Sequence, residues 1–104
     1  MTSPAVFAPA ARKAIRDAVI WIAADSPDAA RRFRTALTDA ARLIGGRPGI
    51  GRRHPVLLGK RYRLWSLAGF PYLLVYDPDT QPPQILRVLH TARDLPPLLG
   101  DLPR

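Results

Sequence analysis

From Ala10 to Ala24 the apolar residues Ile15, Val19 and Ile22 recur at helical spacing, with Ala18 beside them. Arg12, Arg16 and Asp17 fall elsewhere around the turn, and Pro9 suits a first helical position. A stronger period follows. Ala29, Phe33, Ala36, Leu37, Ala40, Leu43 and Ile44 make one stripe, while Arg31, Arg32, Arg34, Asp39 and Arg42 stay largely off it. Ser26-Pro27-Asp28 opens this second helix: Ser26 as cap, Pro27 in the first turn, Asp28 at the positive end of the dipole. Gly45-Gly46 closes it. Two helices joined so tightly predict an antiparallel hairpin. Ahead of them, residues 4–8 read as a short strand with Val6 and Phe7 as its apolar part.

The pattern then changes. Residues 45–59, rich in Gly, Pro and Arg, read as a loop. Lys60 to Leu67 alternates basic and apolar residues, Tyr72 to Tyr76 is aromatic and branched, and Gln84 to His90 alternates Ile85, Arg87 and Leu89 with Leu86, Val88 and His90. Ala68-Gly69 and Asp77-Pro78-Asp79-Thr80 supply turns between these three strands. The prediction is an antiparallel meander covered on one face by the helical hairpin, an α+β architecture. The tail from Asp94, with Leu95, Leu98 and Leu99, reads as a short helix or an extended segment. A length of 104 residues predicts one domain, residues 1–104.

Composition changes the picture mainly through charge. Sixteen Lys and Arg oppose eight acids, a net +8, and fourteen of the sixteen are arginine. All eight acids are aspartate. A field this positive draws nucleic acid or an acidic protein. Arg42, Arg47, Arg52, Arg53, Lys60, Arg61 and Arg63 follow one another without an intervening acid, where surfaces normally mix signs. This stretch reads as a binding region, for phosphate or for an acidic peptide segment. There is no cysteine, and His54 and His90 lie far apart, so neither a metal site nor a cofactor site is expected. No signal-peptide pattern and no window of about 20 apolar residues occurs, which predicts a soluble, cytoplasmic protein.

Individual residues carry two readings each. His90, at a strand end, is first a local hydrogen-bonding partner and second an acid or base. Arg93-Asp94 is equally an ion pair fixing the C-terminal segment or a target contact. Tyr72 and Tyr76 share a strand face and read as core. Trp21, beside the first apolar stripe, also reads as core, with an interface role second.

The order of these elements resembles the ParE branch of the RelE/ParE superfamily of toxins from bacterial type II toxin–antitoxin modules. The matching residues are Ala11-Arg12-Lys13-Ala14-Ile15, Trp21 to Ala30 with Phe33, Arg47-Pro48-Gly49-Ile50-Gly51-Arg52, Tyr62-Arg63-Leu64, Pro71 to Tyr76, and Ile85 to Leu95. The resemblance implies a growth inhibitor acting on DNA gyrase and neutralised by a cognate acidic, ParD-like antitoxin in a hetero-oligomer. Arg52, Arg53, Lys60, Arg61, Arg63 and Arg93 are then the candidate contacts to partner or target. RelE-type relatives instead cut mRNA on the ribosome. For that chemistry the chain offers His90 with Arg63, Arg87 and Arg93, but no glutamate and no tyrosine after Tyr76. A third possibility is a basic nucleic-acid-binding module with no toxin role. It would be expected to interleave stacking aromatics with its cations, and the basic loop has none before Tyr62.

Overall fold

The computed structural model describes residues 2–94. The chain runs β1 (Val6–Phe7), α1 (Pro9–Asp25), α2 (Pro27–Gly46), a 3-10 turn (Pro48–Ile50), β2 (Arg52–Arg53), α3 (Pro55–Leu58), β3 (Arg63–Ser66), β4 (Tyr72–Asp77) and β5 (Gln84–His90). The expected tail helix or extended segment beyond Asp94 lies outside the described residues.

The helical hairpin forms as its pattern dictates. Ser26 Oγ accepts the Ala29 N–H at 3.1 Å, with Pro27 and Asp28 in the first turn of α2. The apolar faces of both helices meet one face of a five-stranded sheet. Ala11 and Ala18 of α1 join Phe33, Leu37, Ala40, Ala41 and Ile44 of α2 over Leu67, Tyr72, Leu74, Tyr76, Ile85 and Val88. Phe33 is the hub, with its ring edge-on to Phe70 at 5.3 Å and tilted against Tyr72 at 5.1 Å.

The sheet order is β1-β5-β4-β3-β2. The predicted β3–β4–β5 meander is antiparallel, but the sheet as a whole is mixed because β1 pairs parallel with β5. The reason is chain direction. β1 leads into the α1–α2 hairpin, which carries the chain to β2 at the opposite edge, and the antiparallel meander then brings β5 back beside β1 running the same way. Ala5 and Gly45 show how closely this first segment lies on α2: the Ala5 N–H donates to Ala41 O at 2.8 Å. A Cβ on Gly45 would strike Ser3 O and the Pro4 backbone.

Three expectations are corrected. The strand predicted over Lys60–Leu67 is shorter, Arg63–Ser66, because Lys60 to Tyr62 turn the chain out of α3. The loop predicted over 45–59 contains the 3-10 turn, β2 and α3, whose few residues are too short to show a period. Leu43, assigned to the α2 stripe, is exposed, and Ala41 takes the buried place.

The opposite face of the sheet carries a second, smaller core. Leu58 and Tyr62 close over Leu64, Val75 and Leu89, with Leu73 and Leu86 alongside. β4 is therefore covered on both faces, which is why its sequence is nearly continuous in apolar residues rather than alternating. Among the described residues, no helix is long and apolar enough to cross a membrane.

Candidate functional site

The basic stretch folds into a tip at the β2 end of the sheet, and its cations divide into two kinds. Arg63 points inward. Its Nη1 donates to Gly51 O at 2.7 Å, and its strand partner is Tyr76. The Tyr76 hydroxyl accepts the Gly51 N–H at 2.8 Å and donates to Pro48 O at 2.6 Å. A Cβ at Gly51 would lie 2.6 Å from Tyr76 Oη and 2.8 Å from Leu64 O, so glycine alone lets the loop approach this closely. Burial pushes the Tyr76 hydroxyl above its ordinary pKa, against the opposing pull of the Gly51 hydrogen bond and the Arg63 charge. Arg63 is thus a brace for the basic loop rather than part of its outward surface.

Arg61 is anchored from outside its own stretch. Its Nε donates to Asp77 Oδ2 at 2.9 Å, and the guanidinium sits 5.4 Å from the Tyr62 ring centre. Asp77 is buried and also accepts the Asp79 N–H at 3.0 Å, so both carboxylate oxygens are used. The hydrogen bond from Arg61 to Asp77, and then the Asp77 charge, raise the pKa of Arg61. Arg42 faces Asp39 at 3.8 Å across a turn of α2. The four remaining cations of the stretch, Arg47, Arg52, Arg53 and Lys60, are exposed. Arg53 Nη1 reaches Lys60 O at 3.5 Å across the neck of the tip.

A second candidate surface lies at the other end of the sheet. α1 and β5 flank a groove of about 670 Å³ lined by Lys13, Asp17, Trp21, Arg87, Arg93 and Asp94 above an apolar floor of Ala10, Ala14, Ala18 and Val88. Beside it, β1 accompanies β5 only at Gln84 and Ile85. Trp21 does not join the core: it is 71% exposed. The inward face of α1 pairs buried Ala11 and Ala18 with partly buried Ile15, Val19 and Ile22, and the indole is left on the flank of the helix. Ile20 is exposed beside it. Sequence reasoning missed this groove because it is assembled from elements more than sixty residues apart in the chain.

Of the candidate nuclease residues, Arg87 shares β5 with His90 and Arg93 follows in the turn after it, but Arg63 stands apart. His90 pairs with Tyr72 and Arg63 with Tyr76, and β4 lies between their strands. Four residues of β4 put these positions about 13 Å apart along the strand and about 10 Å apart across it. His90 is also engaged locally, as its first reading expected. Its Nδ1 accepts the Ala92 N–H at 3.2 Å, its own N–H donates to Asp94 Oδ2 at 2.9 Å, and its ring meets Tyr72 edge-on at 5.2 Å. Asp94 is thus directed to the His90 backbone. Of the candidate partner contacts, Arg52, Arg53, Lys60 and Arg61 gather at the tip, Arg63 turns inward beneath it, and Arg93 lies in the distant groove. Tyr72 and Tyr76 are core, as predicted.

No curated protein matches the chain. Residues 5–95 match the family described as "ParE toxin of type II toxin-antitoxin system, parDE", which takes in every element above. The chain therefore belongs to the ParE toxin family.

Proposed function

We propose that this type II toxin inhibits growth by binding DNA gyrase rather than by cutting RNA. The observation that carries this reading is the separation of His90 from Arg63. A metal-free ribonuclease needs its base, its acid and its phosphate clamp around one scissile bond. Here the candidate base pairs with one end of β4 and Arg63 with the other, where it is given to Gly51 O; on the His90 side Arg87 is given to Leu86 O, and the chain has no glutamate to complete an acid–base pair. A protein with a rigid charged tip and an open groove is suited instead to engaging two protein surfaces. Gyrase is the target generally associated with the ParE kind of toxin.

Family membership implies a cognate antitoxin. In this proposal the antitoxin is ParD-like, and an acidic amphipathic segment of it seats its apolar side on the alanine floor of the α1–β5 groove. Its carboxylates then meet Lys13, Arg87 and Arg93. The exposed cations Arg52, Arg53 and Lys60, with Arg61, face the target.

The deciding experiment is a pair of assays on purified toxin, gyrase supercoiling and transcript cleavage on ribosomes. Loss of supercoiling with intact transcripts is expected. Cleaved transcripts with unaffected supercoiling would overturn the reading.

A further inference from the structure

The tip carries one feature that its charge does not explain. Val56 is 85% exposed at the summit, and Leu57 beside it is also exposed. Single exposed aliphatic residues are ordinary on protein surfaces. These two are displayed. Leu58 is buried in the second core and pins α3 from below. The His54 Nδ1 accepts the Leu57 N–H at 3.4 Å at the start of α3, and Gly59, at φ 70°, turns the chain sharply away at its end. The contact from Arg53 Nη1 to Lys60 O closes the neck. The result is a small apolar knob held on a fixed stalk, ringed by Arg52, Arg53, Lys60 and Arg61. The acid closest in the fold that is known to meet this ring, Asp77, is buried beneath it and committed to Arg61.

We propose that the 52–61 tip is the surface by which the toxin grips the protein it inhibits. Val56 and Leu57 enter a shallow apolar pocket there, and Arg52, Arg53 and Lys60 meet acidic side chains around its rim. An apolar centre inside a charged rim is the anatomy of a protein-binding anchor. The chemistry selects a protein over the two other anionic partners. Single-stranded nucleic acid is held by aromatic faces, yet residues 52–61 include no Phe, Tyr or Trp, the adjoining Tyr62 is buried, and the His54 ring is engaged in capping α3. Phosphates would also meet an aliphatic summit with nothing to bond. A membrane surface calls for a larger apolar face with Trp or Phe, which α3 lacks. The inference rests on the toxin acting by binding. It assigns the tip to the target and leaves the α1–β5 groove to the antitoxin.

The test uses the full chain under tight induction, with growth arrest as the readout, and Val56→Lys as the variant. This substitution removes the apolar anchor while adding a positive charge. If Val56 fills an apolar pocket on a protein, the buried ammonium lowers potency at least about tenfold. A nucleic-acid or lipid partner keeps or gains potency, and retained arrest by Val56→Lys overturns the proposal. Val56→Thr, close in shape, serves as a second variant and is expected to lose potency by a smaller factor; full potency in that variant counts against the proposal too. Co-purification with the cognate antitoxin is expected to be unchanged in both, which shows that the fold is intact. Loss of antitoxin binding by a folded Val56→Thr would overturn the assignment of the tip to the target. Purified gyrase separates this inference from the reading above. If wild-type toxin arrests growth without affecting supercoiling, gyrase is not the target, and the growth comparison still decides the role of the tip.

Discussion

Tyr76 is the residue on which the basic loop hangs. Its hydroxyl is the one side-chain atom that joins both ends of the Pro48–Gly51 turn to the sheet, giving one hydrogen bond and accepting another. Tyr76→Phe keeps the ring and orphans the Pro48 carbonyl and the Gly51 N–H. The expected cost is about 1–3 kcal/mol in urea unfolding at pH 8, since each group loses its partner in a partly buried place. The pH dependence follows from the raised pKa. Below about pH 10, the ordinary tyrosine value, the hydroxyl is neutral in the folded and unfolded chain alike, and the wild type has its full margin. Above it the unfolded chain releases the proton while the folded one retains it. Stability then falls with rising pH, by at most about 1.4 kcal/mol per unit from this group, until the folded pKa is reached. The phenylalanine variant lacks that slope. Its deficit relative to wild type should shrink between pH 8 and pH 11, and a constant gap would mean that burial of the hydroxyl does not control the loop.

At the scale of elements, α2 organises the fold. Phe33 is fully buried and touches Phe70 and Tyr72, so it joins the helix to the β3–β4 turn and the start of β4. Phe33→Ala should cost about 3–5 kcal/mol by thermal or chemical unfolding. A loss below about 1 kcal/mol would show that the contact is made elsewhere. α2 is also the element most fully legible in the sequence. Its cap, its long apolar stripe and its terminal glycines are local signals in register with one another, and the turns at Ala68-Gly69 and Asp77–Thr80 bound the strands of the meander in the same way, the start of β3 excepted. What local signals could not supply is explained by distance along the chain. β1 is too short for a period, and its parallel partner β5 lies nearly eighty residues away. α3 spans a single turn, so Leu58 looked like one more loop residue although it seals the second core. The candidate site divided in the same way. The run of cations was visible, but which of them bend inward depended on Gly51, Tyr76 and Asp77, contributed by other strands and loops. Trp21 misled because an indole beside an apolar stripe is usually buried. Here Ala11 and Ala18, with Ile15, Val19 and Ile22, fill the contact with the core, and the ring stays outside it.

At the scale of the whole molecule, the question is how much of the net +8 acts on a partner at a distance. The stretch from Arg42 to Arg63 contributes seven positive charges with no acid among them. Contacts from outside it engage Arg42 and Arg61, and Arg63 is turned to a backbone carbonyl. The exposed Arg47, Arg52, Arg53 and Lys60 therefore dominate the field on this side of the molecule. The α1–β5 groove holds cations of its own, Lys13, Arg87 and Arg93, interleaved with Asp17 and Asp94. On the assignment proposed above, an acidic antitoxin is steered by the whole surface but held by the groove. Association measured by stopped flow should slow at least about tenfold between 50 and 500 mM salt, because exposed charges are screened over a few ångströms at the higher value. Dissociation should change much less, being governed by apolar contacts on the alanine floor. Replacing Arg52, Arg53 and Lys60 together by glutamine should lower the association rate at 50 mM salt, flatten its salt dependence and leave dissociation as it was. A triple variant that dissociates faster from the antitoxin would put the tip inside the antitoxin interface and remove the division between a groove for the antitoxin and a tip for the target.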